Sequence, residues 1–227
     1  MATYQALVED LRTMVPGVAR AAASDKVLGR ALWRAFSDLV QEAAEHHDVT
    51  DPRMPRSSAT PTVPADLTTG IDLSSITDLL KIQEVQVEYS DSVRASVTIV
   101  PFKNRFDKAE PTPAACIDGN TLYPIPADGD GIWTHARMAA ANWSNVSTLT
   151  VKYIPTVTEI SALSDTVPVN EVFHRPGIYR SGVDIVAAHA PELMAQVQML
   201  YAEAWNAALL SLVRPIANEI EVVRAVW

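Results

Sequence analysis

His46 and His47 stand close in sequence to Asp48 and Asp51, the donor types of a metal site. Adjacent helical side chains point in different directions, and polar or cationic groups are favoured at a helix C-terminus. A polar helix end is the better-supported reading. Asp128-Gly129-Asp130-Gly131 looks like part of a calcium loop. The full pattern needs an oxygen ligand where Pro126 stands and a carboxylate well downstream, and both are missing. These residues read as a turn between strands. Cys116 with Asp118 and His135 has the residue types of an activated thiol. A lone cysteine is more often a small buried apolar residue. Trp133, Trp143 and Tyr153 are the aromatic types of a sugar-binding face, although aromatics in a β region usually fill its core. There is no Gly-x-Ser-x-Gly elbow, Walker loop or dinucleotide fingerprint, and no His-Glu-x-x-His. No residue is assigned to catalysis, and no cofactor or metal is expected.

Composition narrows the classes further. The chain has 227 residues, 18 Lys+Arg against 27 Asp+Glu, and a net charge of −9. That balance argues against a general nucleic-acid binder, which needs a basic face. A hydrophobic fraction of 48% and a charged fraction of 20% suit a folded chain. The single cysteine rules out a disulfide framework or a multi-cysteine metal cluster. Only 8 glycines are present, which disfavours phosphate-cradling loops. The N-terminus has no basic-then-apolar signal pattern. The most apolar window, residues 194–213, is interrupted by Gln196, Gln198, Glu203 and Asn206, so no membrane span is expected.

The elements that would position these residues follow from periodicity. Thr3 caps a helix from Tyr4 to about Met14, with Leu7, Leu11 and Met14 on one face and Pro16-Gly17 ending it. Ser24 or Asp25 caps a second helix to about Glu45. Its apolar stripe includes Leu28, Leu32, Phe36, Leu39 and Val40, and Arg30, Arg34, Asp38, Gln41 and Glu42 hold the other side. Prolines 52, 55, 61 and 64 then mark a linker or extended loop. From Ile71 to about Thr166 the period becomes that of strands, at 80–89, 93–100, 121–125 and 148–153. Residues 164–189, with Pro168, Pro176, Gly177 and Gly182, read as a long irregular connection. Pro191 opens a last helix whose apolar face runs from Leu193 through Trp205 to Leu212.

The expected fold class is α+β: a helical bundle with an inserted antiparallel β-module, a small sandwich or barrel, and a C-terminal extension. The expected segments are N-terminal helices (1–48), a Pro-rich linker (49–70), the β-module (71–166), a long loop (167–190), the return helix (191–214) and a tail (215–227).

This order resembles the head-to-tail connector proteins of tailed bacteriophages, also called adaptor or head-completion proteins. The resemblance is one of pattern and covers most of the chain. It is carried by Thr3-Tyr4-Gln5-Ala6-Leu7-Val8-Glu9-Asp10-Leu11-Arg12 with the helix around Leu28 to Val40. It is also carried by Asp78-Leu79-Leu80-Lys81-Ile82-Gln83-Glu84-Val85, by residues 117–126, by Leu149-Thr150-Val151-Lys152-Tyr153-Ile154-Pro155, and by the helix from Pro191 to Val213. The stretch 51–66 and the loop 168–189 depart from the shortest members.

The resemblance implies a structural virion protein that is not an enzyme. It implies a dodecameric ring of this chain in the virion neck, assembled in the host cytoplasm. The ring would bind the portal protein and downstream tail or neck proteins, and DNA would pass through its lumen without sequence-specific contact. A ring needs two different patches on each subunit. Candidate subunit-interface residues are Trp33, Phe173 and Tyr179, together with the exposed flank of the return helix. Candidate portal-binding residues lie in the tail, at Ile220, Val222, Val223 and Trp227, as an added strand or a short helix in a groove. The charge of −9 then suits a wall that repels DNA phosphates. Two other classes stay open: another neck or tail protein such as a tail terminator, with a strand-dominated core, and a glycan- or receptor-binding module.

Overall fold

The computed structural model describes residues 2–21, 23–46, 51, 53–101, 113–125, 143 and 145–213. The chain divides into two compact units, one of residues 1–55 with 156–227 and one of residues 56–155. The second is therefore inserted in sequence within the first.

Among the described residues, four α-helices build the first unit. Helix α1 spans Tyr4–Met14, and the Thr3 hydroxyl accepts from the Ala6 N–H at 3.3 Å as its cap. Its buried face is Tyr4, Leu7, Val8 and Leu11. The chain then turns through Gly17, whose φ of 87° is costly for any side chain. Helix α2 spans Asp25–His46 and buries Leu28, Leu32, Phe36, Leu39 and Val40. The Asn170 side chain caps a short turn at Glu171–Phe173 by accepting from the Val172 N–H at 3.1 Å. Helix α3 follows at His174–His189, then a turn at Pro191–Leu193, and helix α4 at Met194–Val213. Helix α1 packs on α2 and α3, α2 on α3, and α3 on α4.

Helix α3 corrects the expected irregular connection at 164–189. Pro176 is the third residue of α3, inside the first turn, where a missing N–H costs no intrahelical bond. Gly177 and Gly182 are contact positions rather than breakers. A Cβ at Gly177 would stand 2.2 Å from Phe36 Cε1, and one at Gly182 would stand 2.6 Å from Val15 Cγ1. The same small-residue strip includes Ser181, buried with its hydroxyl donating to the Ile178 carbonyl at 2.9 Å.

Tyr4 is 1% exposed, and its hydroxyl has no hydrogen-bond partner among the described residues. Burial, aided by the nearby Asp165 charge, pushes that hydroxyl up to about 12. An unpaired buried hydroxyl costs about 1–3 kcal/mol. Tyr4→Phe should therefore leave the melting temperature unchanged or raise it. A clear fall in a calorimetric scan would mean that the hydroxyl has a partner.

The second unit is one curled, half-barrel sheet. Its strands are β1 (Ser57–Ala59), β2 (Ile71–Asp72), β3 (Leu79–Tyr89), β4 (Arg94–Val100), β5 (Ala114–Asp118), β6 (Thr121–Ile125) and β7 (Val146–Pro155). The order is β1-β7-β3-β4-β5-β6-β2. All neighbours are antiparallel except β4 and β5, which pair in parallel through Thr98–Ala114, Ile99–Ala115 and Val100–Cys116. The sheet is thus mixed, against the antiparallel expectation. A parallel pair needs a crossover of about a dozen residues or more, and residues 101–113 supply that length. The expected linker also contributes, since β1 pairs with β7 at the sheet edge between Pro55 and Pro61.

Alternation sorts the two faces. Val85 and Val87 of β3, Val97 of β4, Leu122 of β6 and Leu149 and Val151 of β7 form the core with Trp143. On the opposite face, Glu84 accepts from Lys152 Nζ at 2.9 Å, Gln86 Nε2 at 2.6 Å and the Ser96 hydroxyl at 3.1 Å. The Lys152 bond foremost, then that from Gln86, holds the Glu84 carboxyl below the usual range.

Candidate functional site

The proposed interface residues fall in three different environments. Trp33 projects from α2 and is half-buried, with its indole N–H donating to the Val157 carbonyl at 3.0 Å. That bond satisfies the polar edge of the ring within the chain itself. Phe173 is fully buried, its ring centroid 6.4 Å from that of Trp205. Tyr179 is 5% exposed, with the Arg175 guanidinium 5.8 Å from its ring centroid. Both were expected on an open loop. Instead, the short turn and α3 carry them into the packed interior of the helical unit. Ile220, Val222, Val223 and Trp227 lie outside the described residues.

The chemical constellations of the sequence do not assemble among the described residues. Cys116 is fully buried on β5, and Asp118 stands exposed at that strand's end. His47, Asp48, His135, Trp133 and the Asp128–Gly131 turn are outside the described residues. Asp51 pairs with Arg53 at 2.6 Å. Among the described residues, no group of three or more His, Cys, Asp or Glu is placed to hold a metal. Trp143 is 1% exposed, and its indole N–H donates to the Ala114 carbonyl at 3.0 Å. Tyr153 is buried with its hydroxyl on Asp78 at 2.8 Å. Those two aromatics therefore serve the core of the β unit and present no open platform.

What the helical unit leaves open is one side of α4. Val197, Ala204, Trp205, Ala208 and Leu212 are buried, yet Met199 is 56% and Leu210 66% exposed. Ala195 and Ala202 extend that outer side. Glu203 is the only charged residue of the helix. A helix with one buried side ordinarily carries several charges on the other, whereas α4 exposes only Glu203 there, beside the neutral Gln196, Gln198 and Asn206. Its seat is fixed from two directions. The Trp205 indole N–H donates to Glu42 Oε1 at 2.8 Å, and the Arg53 guanidinium donates to the Ser211 carbonyl in the last turn, where a cation suits the helix dipole.

A cleft of about 760 Å³ in the same unit is lined by Arg53, Met54, Pro168, Asn170, Glu171 and His174. Its arginine is already bound by Asp51 and Ser211. Its histidine is held below the usual range, chiefly by burial, with Nε2 3.3 Å from the Val169 carbonyl. These groups support the unit's own loops.

No described helix is long and apolar enough to cross a membrane. No protein-family model matches this chain, and no curated protein does.

Proposed function

We propose that this chain is a structural protein of a tailed-phage neck, forming a ring that joins the portal to the tail and continues the DNA channel. The observation that carries this reading is the insertion of a compact β unit within a helical unit, the organisation that the resemblance implies. The exposed Met199 and Leu210 on the outer side of α4, with Glu203 the one charge there, add to it, because subunits of a ring need faces to bury against their neighbours. The tail residues Ile220, Val222, Val223 and Trp227 are the proposed portal contacts. DNA would pass through the lumen without sequence-specific contact. The four helices run against the strand-only core of a tail terminator, and the burial of Trp143 and Tyr153 runs against a glycan platform.

Electron microscopy or native mass spectrometry of the full chain with its portal tests the reading. A ring seated on the portal is expected. A glycan-binding monomer with no affinity for the portal would overturn it. Removing residues 224–227 should weaken portal attachment while leaving the circular dichroism unchanged. Undiminished attachment would remove the tail from the interface.

A further inference from the structure

Helix α2 carries an ordered set of charges that its own unit does not explain. Lys26, Arg30, Arg34, Asp38 and Glu42 recur every four residues, with Glu45 beyond them, and all six are exposed. Such i, i+4 rows are the ridges by which helices pack on one another. Here the ridge is basic in its first half and acidic in its second. That polarity opposes the helix macrodipole, whose N-terminus favours anions and whose C-terminus favours cations. The three cations also sit at the spacing at which like charges repel. None of the three has an ion-pair partner among the described residues. Asp25, the favourable acid in the first turn, is committed to Arg12 at 2.6 Å.

The acidic half is only lightly used. Asp38 lies 3.5 Å from Arg180 with its carboxylate 59% exposed, and Arg180 is shared with Asp184 at 3.0 Å. Glu42 accepts from the neutral Trp205 indole, and Glu45 accepts from Gln41 at 3.0 Å. Counting Arg180 against Asp38, Glu42, Glu45 and Asp184, this end stays net negative. The ridge therefore presents two complementary ends, both without a sufficient partner among the described residues of the unit.

We infer that the α2 ridge is a head-to-tail contact between copies of this chain, the basic half of one copy meeting the acidic half of the next. A second copy is the occupant because the surface that complements residues 26–34 is residues 38–45 of the same helix. An antiparallel pair would satisfy both halves at once and stop at a dimer, whereas the staggered contact that the ring reading requires leaves one basic and one acidic end free and propagates until a ring closes. The inference rests on the ring reading above and names the surface that makes the ring.

Two charge-reversal variants of the full chain test it: Arg30→Glu with Arg34→Glu, and Asp38→Lys with Glu45→Lys. All four positions are exposed, so melting followed by circular dichroism should match the wild type. Sedimentation velocity and native mass spectrometry then read association. The wild type should form species larger than a dimer, with an affinity at least about tenfold weaker at about 1 M salt, where the screening length falls to about 3 Å. Each variant alone should stay monomeric, and an equal mixture of the two should associate again. Wild-type-like assembly of either variant overturns the inference. So does a mixture that stays monomeric, a wild type that stops at a dimer, or a wild type that stays monomeric but binds DNA through residues 26–34. The ring reading fails separately: a wild type that pairs by charge yet never binds the portal keeps the ridge and loses the connector. A wild type that rings the portal with both variants unimpaired does the reverse.

Discussion

Gly177→Ala should lower the melting temperature of the full chain by about 4–8 °C, although alanine is the better helix former. Alanine in place of glycine within a helix is worth up to about 1 kcal/mol in stability. Against that stands the new Cβ, 2.2 Å from Phe36 Cε1 and 2.6 Å from Cδ1. Phe36 is fully buried, with the Tyr4 ring centroid 6.2 Å away and that of His174 6.0 Å away. The phenyl therefore has little room to yield, and overpacking of this kind costs about 1–3 kcal/mol, occasionally more. With the phenyl held on both sides the cost falls at the upper end of that range, about 3 kcal/mol, so the net loss is near 2 kcal/mol, which corresponds to the stated shift for a chain of this size at about 2–4 °C per kcal/mol. Gly29→Ala is the control, because its Cβ would meet only the flexible ends of two side chains, Leu163 Cδ2 at 2.7 Å and Ile160 Cδ1 at 3.3 Å. That change should be neutral or stabilising. Phe36→Leu should cost stability alone and recover part of the loss when combined with Gly177→Ala, as contacting sites do in a double-mutant cycle. A Gly177→Ala protein that melts at or above the wild type would show that α3 does not rest on Phe36.

That contact also explains where sequence reading stopped. Helices α1, α2 and α4 were legible because each carries large apolar side chains at helical spacing between a cap and a stop, as in Thr3 to Pro16. In α3 the signal is inverted. Its buried positions include Pro176, Gly177, Ser181 and Gly182, residues that score as loop formers. Their smallness is the packing feature, and only the facing side chains, Phe36 and Val15, reveal it. A similar limit applied to the sheet. Alternation in β3 and β7 gave the strands and the core face, since Val85, Val87, Leu149 and Val151 are all buried. It carries no information on partner choice, so the parallel β4–β5 pair was invisible. The proposed interface residues were legible as residue types and not in their placement. Trp33, Phe173 and Tyr179 were picked out as large aromatics. A turn and a helix that had read as a loop then buried two of them. The charges of α2 were plain in the sequence, and their exposure is what turns a list of polar positions into a ridge.

The largest single-site effect is expected at Trp143 in the β unit. This side chain is 1% exposed and sits within the cluster that includes Ile71, Leu73, Leu122 and Val151. Its indole N–H also donates to the Ala114 carbonyl at 3.0 Å, at the start of β5. Trp143→Ala removes both the volume and the donor. Truncating a buried aromatic costs about 3–5 kcal/mol, which for this chain is a fall on the order of 10 °C. Trp143→Phe keeps most of the apolar volume and loses the donor, so it isolates the hydrogen bond, worth about 1 kcal/mol. The ordering of wild type, then Phe, then Ala should appear in urea melts as falling midpoints with an unchanged slope, because the surface exposed on unfolding barely differs. The same pair of variants tests the glycan alternative. An aromatic that stacks on sugar is solvent-facing, so its removal spares stability and abolishes binding. If Trp143→Ala melts like the wild type and a glycan array loses signal, the β unit is a sugar-binding face and its core lies elsewhere. A protein that loses stability in the predicted order has its tryptophan at the centre of the sheet's packing. The β unit is then a scaffold held rigid from within.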